Sequence, residues 1–190
     1  QYLAENAYKF VHQNYITIYT GRNLATIIQE TRKLNIAFVL PSLTISGGVL
    51  VALKHCRILQ NAGFDTLVIE LGPQDKKDKI NEGYEIRDLN IVSGLLTNII
   101  GRLDRCVATL WSTMTFINNL QNTGKKFYLV QSFETDFYGF ADYRKILANQ
   151  TYNKDSSINY ITISTWCEKW LKDRFNKNSV YIPNGINLKS

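Results

Sequence analysis

Two adjacent glycines, Gly47 and Gly48, follow Ser46 and stand directly before a run in which Val49, Ala52, Leu53, Cys56 and Leu59 recur at helical spacing. Glycines in the first turn of a helix leave backbone N–H groups open and bring the positive end of the helix dipole to the surface. The chemistry that suits such an end is the holding of an anion, a phosphate above all. The same pair also suits a tight turn on steric grounds alone. There is no Gly-x-Gly-x-x-Gly, so Glu70, at the end of the following apolar run, is only a weak candidate for a ribose hydroxyl. His55 falls in mid-helix, four residues after Val51, where packing or surface exposure is the ordinary role, and His12 has no partner in sequence. No Ser/His/Asp or Cys/His arrangement emerges. The three cysteines, Cys56, Cys106 and Cys167, lie far apart inside apolar segments, which predicts free thiols and a cytoplasmic chain. Nothing has metal-ligand spacing, and neither a metal nor a cofactor is expected.

The elements that must position these residues follow from periodicity and breakers. Leu34 to Leu40 is short, apolar and β-branched, as suits a strand buried on both faces, and Pro41 ends it. The helix opened by Gly47 and Gly48 closes at Asn61-Ala62-Gly63, with Gly63 as a left-handed cap. Phe64 to Leu71 is the second strand of a βαβ unit. Downstream, Tyr84 to Leu89 reads as a short strand and Arg105 to Trp111 as a stronger one. Ser112 caps a helix to about Gln121, closed by Gly124, and Lys126 to Gln131 is the next strand. A loop from Ser132 to Gly139 leads to a helix ending near Asn149. Ile158 to Ile163 is a strand, Ser164 or Thr165 caps a helix carrying Trp166, Trp170, Leu171 and Phe175, and Val180 to Ile182 is the last strand. Trp166 and Trp170, one turn apart, read as core. This alternation predicts an α/β fold, a Rossmann-like three-layer domain with a mostly parallel sheet, over residues 33–190. Residues 1–32 read differently. Tyr2, Tyr8, Phe10, Tyr15 and Tyr19 precede a helix capped by Asn23, with Leu24, Ile27 and Ile28 as its stripe. They form a helical arm or connector, or else a partly ordered tail.

With 190 residues and 45% hydrophobic content the chain suits one domain with an appendage and a proper core. The formal charge of +6 favours a phosphorylated substrate or an anionic membrane face. It is too diffuse for nucleic acid, and no nucleic-acid-reading motif is present. The run from Gln74 to Lys79 reads as a solvated loop. No apolar run approaches the roughly 20 residues needed to cross a bilayer. The start at Gln1 suggests a piece of a longer protein.

Ligands of open parallel sheets bind beyond the carboxyl ends of the strands. Those positions here are Gly47 and Gly48, Trp111 to Thr113, Gln131 to Glu134, Ser164 to Trp166, and Asn184 with Gly185. They carry a resemblance. Ile36 to Pro41 followed by Gly47-Gly48-Val49 resembles the first βα turn of family 4 (group 1) glycosyltransferases of the GT-B fold. Tyr128-Leu129-Val130-Gln131-Ser132-Phe133-Glu134 through Tyr138, Ala148 to Tyr152, and Ile161 to Trp166 are similar to segments of a bacterial group 1 subfamily that includes rhamnosyltransferases of surface polysaccharide synthesis. Ser179 to Asn187 resembles the segment that precedes the donor domain, and the match runs in order from about Lys33 to Leu188.

The resemblance implies the acceptor-side domain of an enzyme that moves a sugar from a nucleotide-sugar to a glycan or lipid-linked acceptor. In that reading Gly47 and Gly48 form the donor-phosphate loop. Trp111, Gln131, Glu134, Ser164 and Thr165 bind the acceptor, and Asn184 and Gly185 belong to the interdomain linker. Gln131 and Glu134 offer an amide and a carboxylate to sugar hydroxyls, and Trp111 a ring face with its N–H free to bond. Each has a plainer role open to it: a core ring for Trp111, an ion pair for Glu134, a helix cap for Ser164 and Thr165. The chain departs from the family at two points. Gln131 to Glu134 fill a loop where many members carry a histidine, and Asn187 stands where aspartate is usual. The donor domain is expected outside this chain, which by itself should not turn over. The partners implied are a nucleotide-sugar, the glycan or lipid-linked acceptor, and the inner membrane face as a peripheral contact; no nucleic acid is implied. The rivals are a nucleotide-sugar epimerase of the same architecture and a non-catalytic Rossmann-like binding module.

Overall fold

The strand predicted at Leu34 to Leu40 forms as β1 (Asn35–Leu40), and both of its faces are buried. The structure, a computed structural model, describes residues 34–72, 88–96, 101–121, 123–153 and 157–184. All of these belong to one compact unit beginning at Leu34. The arm read at 1–32, the charge run from Gln74 to Lys79, and Gly185 lie outside the described residues. Six further strands follow: β2 (Asp65–Glu70), β3 (Ile91–Ser93), β4 (Leu103–Ala108), β5 (Thr123–Val130), β6 (Ile158–Thr162) and β7 (Ser179–Tyr181). They form one sheet in the order β3-β2-β1-β4-β5-β6-β7, and every pair is parallel. The chain is therefore an α/β protein with a Rossmann-like three-layer fold.

Helices α1 (Gly47–Asn61), α2 (Trp111–Asn119), α3 (Tyr143–Thr151) and α4 (Thr165–Phe175) connect the strands. Alternation along β1 divides the core. Ile36, Phe38 and Leu40 pack with Val49, Ala52, Leu53 and Cys56 of α1, whereas Ala37 and Val39 pack with Met114 and Ile117 of α2 and Leu171 of α4. This two-sided covering follows from right-handed crossovers running outward in both directions from β1 and β4. The topological switch point lies between those two strands. Thr109 Oγ1 donates to the Val39 carbonyl at 2.8 Å and ties their ends together there. Gly63 adopts φ +92° just beyond α1, as the cap requires. Among the described residues no helix is long and apolar enough to cross a membrane.

Several boundaries differ from the sequence reading. Strand β3 forms at Ile91–Ser93, with the Asn90 carbonyl already accepting the Val68 N–H at 2.8 Å; of the short strand expected from Tyr84 to Leu89, Asp88, at φ 68°, and Leu89 belong to no strand. Residues 84–87 of the expected strand lie outside the described set. Helix α2 starts at Trp111, after Leu110 as N-cap, so Trp111 is helical rather than the end of a strand, and Ser112 is not the cap. Gly124 does not close that helix but lies inside β5. There a Cβ would stand 2.3 Å from the Asp104 carbonyl oxygen of β4, so the strands pair at this register only over a glycine.

Candidate functional site

The switch point brings together the ends of β1, β4 and β5. Ser46, extended at φ −152°, caps α1 by accepting the Val49 N–H at 3.3 Å. Gly47 and Gly48 thus form the first turn of α1, as expected. Gly47 is exposed, and a Cβ on it would meet nothing within 4 Å. Gly48 faces Gln131, just beyond β5, whose Nε2 donates to the Gly48 carbonyl at 3.1 Å. The glycine loop and Gln131, 83 residues apart, are therefore one constellation across the mouth of the sheet. A Cβ on Gly48 would stand 3.3 Å from that amide nitrogen. Glu70 lies at the end of β2, but it is buried and its Oε1 accepts the Leu43 N–H at 3.0 Å. Its carboxylate holds the loop after β1.

Glu134 corrects the sequence reading. It opens a 3-10 turn (Glu134–Phe137) and is 2% exposed. Its Oε2 accepts the Trp111 N–H at 2.6 Å and the Tyr128 hydroxyl at 2.7 Å. Its own N–H donates to the Tyr152 hydroxyl at 3.3 Å, and the rings of Tyr128 and Tyr152 stack at 5.8 Å. Leu110, the N-cap of α2, has no side-chain acceptor, so Glu134 supplies from another element what the cap residue lacks. Thr113 adds to it by accepting the Thr109 and Leu110 N–H groups on Oγ1 at 2.9 and 3.0 Å. Desolvation by burial pushes the Glu134 carboxyl up to about 8, against the lowering effect of bonds from Tyr128 and Trp111. Burial also raises Tyr128 well above the ordinary phenol range, with the charge of Glu134 adding to it. Glu134 is thus neither an exposed carboxylate for sugar hydroxyls nor half of an ion pair; it positions Trp111 and the start of α2.

Trp111 is half-buried, and its Nε1–H is not free: it donates to the Tyr138 hydroxyl at 2.7 Å, with the two rings edge to face. Ser164 serves as N-cap of α4, its Oγ accepting the Cys167 N–H at 3.1 Å. Thr165, exposed on the first turn of α4, lines a separate depression with Glu168, Lys169 and Lys172. Asn184 is exposed beyond β7. Trp170 is core as expected, but Trp166 is 58% exposed. The site thus resolves into two bonded pairs, Gly48 with Gln131 and Trp111 with Glu134, while Ser164 and Thr165 serve α4. Tyr128, Tyr138 and Tyr152 were not foreseen as parts of the site. For Tyr128 the usable signal was its place two residues before Val130 on the same strand face, which aims its hydroxyl into the layer that holds Glu134.

All three cysteines are free and buried, as expected, and burial pushes the Cys106 thiol up to about 12. Half-buried His55, lowered by desolvation and then by Lys54, lines an apolar cleft of about 390 Å³ beside α1 with Phe38, Arg105, Phe127, Leu129 and Ile161. This cleft lies on the α1 face of the sheet. Among the described residues no three His, Cys, Asp or Glu side chains are grouped as metal ligands would be. The chain matches no protein-family model and no curated protein.

Proposed function

We propose that the chain is the acceptor-side domain of a GT-B glycosyltransferase that moves a sugar from a nucleotide-sugar to a glycan or lipid-linked acceptor of surface polysaccharide synthesis. The observation that carries the reading is the Gly48–Gln131 constellation at the switch point, with the open first turn of α1 beside it. A helix end of this kind accepts phosphate oxygens, and a primary amide offers both a donor and an acceptor to vicinal hydroxyls. Support also comes from the order of the motifs between Lys33 and Leu188. In this reading Gln131 touches the ligand. Trp111 forms a wall set by Tyr138, and Glu134 is a positioning residue that keeps α2 and Trp111 in place.

The test is a titration of the isotope-labelled 190-residue chain with nucleoside diphosphates and with oligosaccharides, followed by NMR. The expected result is fast-exchange shifts of the Gly47 and Gly48 amides and of the Gln131 side-chain amide, lost in Gln131→Ala. If neither ligand class moves those resonances, the reading fails.

A further inference from the structure

The cleft of about 390 Å³ beside α1 plays no part in the proposed function. It touches the second half of α1, at His55, Ile58 and Leu59, and the start of β1, at Ile36. It therefore lies toward the opposite end of the sheet from Gly47 and Gly48. Among the described residues, α1 is the only helix with side chains in the core of this face; Met114 of α2, Tyr152 at the end of α3 and Leu171 of α4 belong to the other core. The lining changes character along the strands. Arg105 of β4 pairs in register with Lys125 of β5, so the two point to the same face. The next pair on that face is Val107 with Phe127, and beyond it Leu129 pairs with Ile161 of β6. A cationic end thus passes directly into an apolar floor. Leu129 is buried and Phe127 and Ile161 are half-buried, so this floor is the bottom of a groove.

We propose that the cleft binds a fatty carboxylate, its head beside Arg105 and Lys125 and its chain over Phe127, Leu129 and Ile161. The volume falls within the range of small-ligand sites, roughly 300–1,000 Å³, and apolar walls with a few convergent polar groups are their usual lining. The sign of the head follows from the charges. None of the residues that line the cleft is acidic. Arg105 Nη1 donates to the Asp104 carbonyl at 2.8 Å, which fixes the guanidinium. Its other N–H groups and the Lys125 ammonium meet no acceptor among the described residues. A guanidinium matches the planar fork of a carboxylate. A single charge also costs less to desolvate beside the half-buried Arg105 than the double charge of a phosphate. The cleft is separate from the switch point, and the inference stands apart from the proposed function.

The test is isothermal titration of the 190-residue chain with decanoate, kept below its micelle concentration, and with decan-1-ol as the uncharged match. One decanoate should bind per chain, about tenfold more tightly than the alcohol. Arg105→Met should lower decanoate affinity about tenfold and leave the alcohol unchanged. Ile161→Trp, which fills the groove, should abolish both. Ile146→Ser, at an exposed isoleucine on α3, should change neither. Absence of saturable decanoate binding overturns the inference, as does binding that a folded Ile161→Trp chain retains. Unchanged decanoate affinity in Arg105→Met overturns it too, and that variant decides alone if circular dichroism shows that Ile161→Trp does not fold. This titration contains no nucleotide or oligosaccharide and the NMR titration no fatty acid, so each proposal can fail without the other.

Discussion

Glu134 is the residue whose chemistry depends most on its surroundings. In water its carboxyl would be ionised at neutral pH; inside the layer between β5 and α2 it keeps its proton to about pH 8. The folded chain therefore holds a proton that the unfolded chain releases above about pH 4.5, and this decides the sign. Stability from this group is fully present below pH 4.5 and is lost as pH rises to about 8, on the order of 5 kcal/mol in all. Glu134→Gln keeps an acceptor for the Trp111 N–H and removes the titration. Urea melts between pH 5 and 9 should show the wild type weakening relative to the variant as pH rises. Parallel curves would mean that the carboxyl is ionised in the folded chain and that water reaches it.

At the scale of elements, the tightest fit is between β4 and β5. Gly124 passes so close to Asp104 that an added Cβ would meet backbone, which cannot swing aside as a long side chain does. Gly124→Ala should cost roughly 1–3 kcal/mol, read as a lower urea midpoint at unchanged m-value. Gly101→Ala, where a Cβ would meet nothing within 4 Å, is the matched control. An undisturbed midpoint in Gly124→Ala would show that the pairing shifts register to make room. The same contact explains why the sequence reading went astray here. A glycine after a helical run looks like a cap, and only the neighbouring strand, 20 residues back in the chain, shows what it is for. Where local chemistry was sufficient, the elements were legible: the apolar run of β1, the glycine turn that opens α1 and Gly63 all act through their own neighbours. Helix α2 was misplaced because its cap comes from Glu134, which only the folded sheet brings to Trp111. The Gly48–Gln131 pair was legible in part, since both residues follow strands and parallel strands end on the same side. The burial of Glu134 and the exposure of Trp166 were not, because both depend on which face a turn presents after folding.

The unit that begins at Leu34 has a core on each side of one sheet, and the cysteines sample both. Cys56 belongs to α1 and faces the core between that helix and the sheet, and Cys106 of β4 and Cys167 of α4 lie in the core on the other face. All three are buried, and burial raises the thiols of Cys56 and Cys106, so neither reacts as it stands. Reaction with an aromatic disulfide reagent must await opening of the layer above. Interior strands β1 and β4 carry side chains into both cores, so neither layer should come away without the other. The expectation is one kinetic phase with an amplitude of three thiols, at a rate that tracks global unfolding as urea is raised below the midpoint. The contrary result is specific: a faster phase of one thiol, removed by Cys56→Ala, would show that α1 lifts from the sheet by itself. The glycine turn that opens α1 would then be a mobile edge of the candidate site rather than a fixed one.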